Sequence, residues 1–129
     1  MRFFTHFRDK KGGKMKIIPY LLVGNHPKTA KLKERIIQIV KILKENKGKI
    51  EAEDLEKKLG ISRTEDPSLF YKPLAALRKW DLVQSHRTVI FDDKGKKRFK
   101  TTYELTPEFF IRHIEKTLVE KCKTELEMV

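Results

Sequence analysis

The residues that could carry metal or covalent chemistry are four histidines and one cysteine, scattered along the chain. They are His6, His26, His86, His113 and Cys122. None has the spacing to another, or to a carboxylate, that is typical of a metal site. The stretch GNHPKT, residues 24–29, lacks the terminal glycine-lysine pair of a phosphate-binding loop. No serine, cysteine or aspartate stands in a signature for nucleophilic catalysis. We therefore expect neither an enzyme nor a cofactor nor a metal site.

The chemistry that the chain does offer is positive charge. It has 129 residues with 30 Lys and Arg against 18 Asp and Glu, giving +12 at pH 7. Such a charge favours a polyanionic partner, either nucleic acid or an anionic membrane face. The longest apolar run, IIPYLLV, contains a proline and falls far short of the roughly 20 residues that span a bilayer. We expect a soluble protein and no membrane partner.

The composition bounds the fold and the compartment. A hydrophobic content of 39% over 129 residues supports one domain with one modest core. The single cysteine excludes an intramolecular disulfide framework and favours a reducing, cytoplasmic compartment. Two Gln and two Asn beside abundant Lys and Glu is a bias of hyperthermophile proteins, and indicates a thermophile.

Residues 1–16 form a basic arm ahead of the predicted domain. KGGKM at residues 11–15 is what in-frame translation of a purine-rich ribosome-binding site ahead of a start codon would give, so Met15 is our candidate for the natural start. The alternative is a real disordered arm. Without residues 1–14 the chain loses five Lys/Arg and one Asp, and it keeps +12 − 4 = +8.

Hydrophobic spacing predicts the elements that position these charges. Residues 31–44 repeat apolar side chains at i, i+4 and i+7, which is typical of an amphipathic helix. An extended link at Ile50 leads to a shorter helix, EAEDLEKKLG, that stops at Gly60. A third helix turns Phe70, Leu74 and Leu77 inward. VQSHRTVIFDD and KKRFKTTYELT then predict a two-stranded hairpin, and Thr106 followed by proline predicts the N-cap of a last helix.

The local sequence resembles the winged helix-turn-helix family. IEAEDLEKKLGIS followed by FYKPLAALRKWDLVQ is similar to its second and third helices, and Tyr103-x-Leu105-Thr106-Pro107 is similar to the exit from its wing. The resemblance covers residues 30–107. It implies a mainly helical α+β fold, with a three-helix core and a two-stranded β-hairpin wing over residues 17–106 and an additional C-terminal helix over 107–129. Two departures are Asp81, where the family has Gly, and the inserted turn RTEDPS.

The resemblance implies that the third helix enters the major groove of DNA and that the wing contacts backbone or minor groove. At about 100° per residue, the inward row places lysines and alanines on the opposite face and Tyr71 and Arg78 on a flank. The recognition-helix candidates are Tyr71, Lys72, Ala75, Ala76, Arg78 and Lys79. The competing interpretation is an ordinary solvated helix face.

The hairpin carries the densest positive charge. Its wing candidates are Arg87, Lys94, Lys96, Lys97, Arg98 and Lys100. Against Asp92 and Asp93 they leave +6 − 2 = +4, and a cation cluster at a turn is suited to phosphates. The alternative is that these lysines protect an exposed sheet edge from aggregation.

The apolar stripe of the last helix predicts that the protein forms a dimer. Over residues 107–129 it holds four Lys/Arg and five Glu, net −1, so it is a poor candidate for lying along DNA. Its apolar stripe is Phe110, Ile114, Leu118, Cys122 and Leu126. We expect this stripe to pair with its symmetry mate and to place two third helices on successive major grooves. The alternative is a helix folded back on its own domain.

Pro73 complicates the third helix, because an interior proline costs about 3 kcal/mol. We therefore expect the N-cap of the regular helix at Phe70, Tyr71 or Lys72, after an irregular turn, so that Pro73 is among its first three residues. A displaced start would narrow base contacts to Tyr71, Lys72, Ala75 and Ala76.

Together these features predict a sequence-specific double-stranded DNA-binding protein, a transcriptional regulator acting as a homodimer. The alternative function is a winged-helix module that binds protein or RNA without specific DNA readout. Nothing in the sequence identifies a small-molecule effector.

Overall fold

The computed structural model describes residues 15–24 and 26–129. The described elements are α1 (Ile17–Val23), a 3-10 turn (Pro27–Thr29), α2 (Ala30–Glu45), β1 (Lys49–Glu51), α3 (Ala52–Leu59), α4 (Pro67–Lys79), β2 (Val83–Phe91), β3 (Lys97–Leu105), α5 (Pro107–Ile114), a π-helical segment (Glu115–Val119) and α6 (Glu120–Met128). Residues 1–14 of the predicted basic arm lie outside the described residues. Met15 is described and packs against the core.

The protein is mainly helical with a small antiparallel sheet, in agreement with the predicted α+β class. The sheet has the order β1-β3-β2. The extended link predicted at Ile50 is the short strand β1, whose residues 49–51 pair with residues 104–102 of β3, so β1 joins the predicted two-stranded hairpin in one three-stranded sheet. The long hairpin pairs Val83 with Leu105 at its base and Phe91 with Lys97 at its tip.

The core is built where the helical spacing predicted it. Helix α2 buries Ile36, Ile39 and Leu43 completely, and α4 packs against it. Apolar side chains at a spacing of three and four residues share one helix face, and their burial is the main term that stabilises such a fold. Tyr103 and Val83 close the core from the sheet side.

Helix α1 was not predicted. Its seven residues are too few to show a helical period, and the proline at position 19 disfavours a helix in the sequence pattern. Pro19 is the third residue of α1 and is buried; at that position no intrahelical N–H bond is lost. Ile18, Leu22 and Val23 pack against the core, so the apolar run serves folding. No helix in the described part of the chain is long and apolar enough to cross a membrane.

The expected displaced start of the third helix is wrong. Helix α4 begins at Pro67, with Asp66 as N-cap, and continues to Lys79 with Pro73 as its seventh residue. Proline at the first position is favourable, since its φ is preset and its missing N–H needs no partner. Pro73 deprives the Leu69 carbonyl of a helical donor, but its ring is fully buried. The free energy gained by burying the ring offsets the lost hydrogen bond, and the cost of an interior proline taken alone does not include this gain.

Helix α4 ends as expected for a left-handed residue at position 81. Asp81 has φ 60°. The Leu82 amide donates to the Leu77 carbonyl at 3.0 Å and the Asp81 amide to the Arg78 carbonyl at 3.1 Å, which is the Schellman pattern. Asp81 thereby does the work that glycine does in the resembled family. Gly60 likewise ends α3 with φ 69°, as predicted.

Candidate nucleic-acid interface

Helix α4 presents a continuous exposed face. Phe70, Leu74 and Leu77 are buried, as predicted. The exposed side chains opposite them include Tyr71, Lys72, Ala75, Arg78 and Lys79. Ala75 lies at the centre of this face, at about 100° per residue. The helix contains three cations and no acidic residue, so its exposed surface attracts polyanions.

Ala76 belongs to the edge of that face and not to its centre. It is half-buried and packs against the core. The face is rotated from the predicted one because Pro73 is buried, which widens the buried side of α4 toward Ala76. The predicted narrowing of base contacts to Tyr71, Lys72, Ala75 and Ala76 therefore loses its basis, because the helix starts at Pro67 and Ala76 lies at the edge of the exposed face.

A groove separates α4 from the start of the hairpin. It has a volume of about 510 Å³. Its lining residues are Ala75, Arg78, Lys79, Asp81, Val83, Gln84 and Ser85. Below it, the rings of Phe70 and Tyr103 meet edge to face with centroids 6.3 Å apart, which anchors β3 on α4. Burial raises the pKa of the Tyr103 hydroxyl, so this anchor stays neutral.

The hairpin turn is held by Asp92. Its Oδ1 accepts hydrogen bonds from the backbone amides of Lys94 at 3.0 Å and Lys96 at 2.8 Å. Gly95 adopts φ 77°, which a side chain would disfavour. The turn is therefore fixed by backbone contacts, while the lysine side chains on it are exposed.

The six cations predicted for the wing fall into two groups. Arg98 is paired with Asp92 at 3.3 Å, and Lys100 is paired with Glu51, whose hydrogen bond and charge raise the pKa of Lys100. The other four are Arg87, Lys94, Lys96 and Lys97, and among the described residues none of them has an ion pair. The predicted phosphate clamp therefore reduces to four available cations.

Further cations flank α4 on the side away from the hairpin. A second groove of about 510 Å³ lies between α2 and α4. Its cations are Lys28, Lys31, Arg35 and Lys72, with Glu34 the acidic residue. Lys28, Lys31 and Arg35 were not predicted as site residues from the sequence. Lys31 and Arg35 are four residues apart on α2, a spacing that places them on one face, but only the packing of α2 beside α4 brings them to Lys72.

The inserted stretch RTEDPS, whose last two residues open α4, is held by one carboxylate and one hydroxyl. Glu56 accepts hydrogen bonds from the backbone amide of Arg63 at 3.0 Å and from its guanidinium. Burial alone would lower the pKa of Arg63, but the Glu56 contact outweighs it and raises the pKa. Ser62 Oγ accepts from the amides of Thr64 and Glu65, both at 3.2 Å. The insertion therefore forms a defined lead into α4.

The face of the sheet that carries Glu104 points away from α4, and its cations are engaged. Glu104 contacts Lys49 at 3.4 Å and His86 at 3.1 Å. The His86 hydrogen bond is the main cause of a lowered Glu104 pKa, with Lys49 adding to it. Lys58 donates to the Asn46 side chain at 3.2 Å. Lys49 and His86 are therefore paired on this face, whereas the three cations of α4 have no ion pair in the described part of the chain.

The C-terminal stripe leaves the core along its length. Phe110 is buried, Ile114 packs against the core, Leu118 is half-buried, and Cys122 and Leu126 are exposed. The regular four-residue spacing is interrupted by the π-helical segment, which has more residues per turn. Thr106 is the N-cap residue of α5, as predicted, but its side chain does not cap the helix. Its hydroxyl donates instead to the Asp81 carbonyl at 2.8 Å.

Within the described ranges no three His, Cys, Asp or Glu side chains come together as metal ligands. Comparison of the whole chain with protein-family models gives no match, and comparison with curated proteins gives no significant one.

Proposed function

We propose that the protein is a winged helix-turn-helix regulator of transcription that binds double-stranded DNA as a homodimer. The observation that carries the proposal is the α4 face, basic and without acidic residues, lying beside a hairpin whose tip lysines have no ion pair in the described chain. The order α2, β1, α3, α4, hairpin also agrees with the winged-helix pattern.

Helix α4 fits the role of the helix that enters the major groove. A helix with its side chains is about 10–12 Å across and the groove is about 12 Å wide. The small side chain of Ala75 at the centre of the face permits close approach. Lys72 and Lys79 on one side of it and Arg78 on the other can donate to guanine O6 and N7. Tyr71 and Lys72 lie in the second turn, near the N-terminal end that usually meets bases.

The hairpin fits the role of the phosphate contact. Lys94, Lys96 and Lys97 occupy its tip, and contacts from such lysines give affinity that falls steeply with salt without giving sequence specificity. Base readout would then come from α4 and positioning from the hairpin.

Dimerisation through the C-terminal helix is part of the proposal. Leu126 is 77% exposed in the single chain. Val119 and Met128 are exposed too, so the distal helix presents apolar surface that its own domain leaves uncovered. A twofold dimer formed there would give two copies of α4 and a palindromic site.

The test is selection of bound fragments from random duplex DNA, followed by affinity measurements on the winning sequence. Lys72→Ala and Lys79→Ala should each lose about 1–3 kcal/mol at particular base positions. Lys44→Ala is the matched control, since Lys44 is an exposed lysine at the end of α2 and lines neither groove. If no motif is enriched, or if the three variants behave alike, the proposal of specific readout is wrong.

A further inference from the structure

The hairpin tip combines its charges with large exposed apolar side chains. Phe91 is 70% exposed, Phe99 51%, Val89 43% and Ile90 42%. Lysines alone would suffice to contact phosphates, and they would be better solvated without aromatic neighbours. Two exposed phenyl rings on a hairpin that extends beyond the core need a partner that can cover apolar surface.

The strand register shows which way these residues face. Val89 pairs with Phe99 and Phe91 with Lys97, whereas Ser85 pairs with the buried Tyr103. Because side chains alternate along a strand, Val89, Phe91 and Phe99 share the face of Tyr103, which packs on Phe70 of α4. Phe91 is six positions along the strand from Ser85, so the tip reaches roughly 20 Å beyond Tyr103 at about 3.3 Å per residue. The apolar tip therefore points to the side on which α4 is exposed.

The charges around the rings select the kind of partner. The Arg87 guanidinium lies 3.9 Å from the centroid of the Phe99 ring, and Lys97 Nζ lies 5.6 Å from it. Lys97 also pairs with Phe91 across the hairpin, and Lys94 and Lys96 are exposed in the turn between the two strands. A second copy of the hairpin would bring two clusters of like charge together, whereas a polyanion with flat apolar groups between its charges complements both features. Nucleic acid has that chemistry, with phosphates outside and base faces inside.

We propose that the hairpin enters the minor groove of the DNA that α4 binds and inserts Phe91 as a wedge between base pairs, bending the duplex. The inference rests on the proposed function and adds a mode of recognition to it. Phe91 acts as the wedge because it is at the tip and is the most exposed of the four, whereas Phe99 is already stacked under Arg87. Inserted apolar side chains unstack a base step and kink the duplex, most easily at pyrimidine–purine steps such as TA.

The experiment uses the full chain and a duplex that holds the sequence selected from random DNA, flanked by A·T-rich segments with TA steps, with a donor and an acceptor dye about 20 base pairs apart on either side of the site. At saturating protein, the wild type should raise energy transfer between the dyes. Replacement of one adenine of a TA step by 2-aminopurine should give a rise in fluorescence on binding, since that base becomes unstacked. Phe91→Ala should abolish most of both signals and weaken binding by about 5- to 150-fold, the range measured for loss of one base–aromatic stack.

Three variants keep this test discriminating. Lys94→Ala should weaken binding but leave the bend at saturation unchanged. Phe91→Leu should retain most of the bend, since leucine also serves as a wedge. Phe109→Ala is the matched control, because Phe109 is a 45% exposed phenylalanine on the C-terminal helix, and it should change neither signal. Thermal melting checks that each variant is folded, which the exposure of Phe91 leads us to expect.

The outcomes separate this inference from the proposed function. If the duplex is bound but not bent, or if Phe91→Ala bends it as the wild type does, the wedge is refuted while DNA binding stands. If the wild type binds no duplex, both proposals fail. Binding to phosphatidylserine vesicles that is lost in Phe91→Ala, with no bending of DNA, would instead assign the tip to a membrane surface and would overturn the wedge.

Discussion

The ion pairs of the hairpin predict that its cations contribute unequally to DNA binding. Lys97 has no ion pair within the described ranges, whereas Lys100 is paired with Glu51. Lys97→Ala removes a charge that is available to a phosphate. Glu51→Ala together with Lys100→Ala removes an internal pair and leaves the net charge of the chain unchanged. Comparing the two variants therefore tests whether a hairpin cation must be without an ion pair in order to contribute to DNA binding.

The magnitude follows from counterion release. Each phosphate that a protein cation neutralises contributes about 0.9 to the slope of log K against log salt concentration. Replacing Lys94, Lys96 and Lys97 by alanine should reduce that slope by about 3 × 0.9 = 2.7 for each bound chain, and by about twice that for a dimer on a palindromic site. The charge-neutral double variant should leave the slope within about 0.3 of the wild type, because neither partner of the pair contacts a phosphate.

The assay is fluorescence anisotropy with one labelled duplex, titrated at salt concentrations from about 50 to 200 mM NaCl, over which the affinity of such proteins falls steeply. Thermal melting in the same buffers confirms that the variants are folded. A fall of about 0.9 in the double variant would show that Lys100 leaves Glu51 to bind phosphate. That result would refute the division of the hairpin into paired and available cations.

Three further predictions concern stability and assembly. Pro73→Ala should change the free energy of unfolding by less than about 1 kcal/mol. Alanine gains about 3 kcal/mol of helix propensity, but it loses two buried methylenes at about 0.8 kcal/mol each and leaves the unfolded chain more flexible, at about 0.4–1 kcal/mol. A loss of stability above about 2 kcal/mol in urea unfolding would contradict this. The pKa of Glu104 lies below its ordinary 4.5, so the ionised carboxylate stabilises the folded chain above that pH, and this stabilisation is lost as pH falls through the lower folded value. Glu104→Gln should therefore make the free energy of unfolding depend less on pH in that acidic range, and should leave its pH dependence parallel to that of the wild type near pH 7. Leu126→Glu should convert the dimer to a monomer, seen as one chain mass in size exclusion with light scattering. The melting temperature of the domain should stay the same, because Leu126 is 77% exposed in the single chain. An unchanged mass would place the dimer interface elsewhere.

Local features of the fold were predictable from the sequence. Helices α2 and α3, the inner row of α4 and the two long strands follow from periodicities that involve only neighbouring residues. The left-handed position of Asp81 was also foreseen, since aspartate adopts that conformation at modest cost. In each case the determining interaction lies within one turn or one strand.

The misses share a physical cause, which is tertiary contact. The pairing of β1 with the hairpin was not predicted, because residue 103 of β3, which pairs with Ile50, lies more than 50 positions away in the chain. Pro73 is tolerated because its ring is buried against the rest of the core. The division of wing cations depended on where Glu51 lies, and periodicity carries no information on that. Propensity and pattern decide an element only until burial offers a larger free energy.

Position 81 joins the two parts of the proposed function. The Asp81 carbonyl accepts from the Thr106 hydroxyl at 2.8 Å, and Asp81 Oδ2 accepts from His113 Nδ1 at 3.0 Å. The end of α4 is thereby tied to the C-terminal helix, across 25 and 32 residues of chain. In a dimer formed by that helix, these contacts would set the distance between two copies of α4. Asp81→Gly keeps the left-handed helix end, where glycine is unstrained, but releases His113. We expect binding to a single half-site to persist and the preference for one spacing of paired half-sites to weaken; equal losses on both kinds of site would mean that the junction serves folding alone.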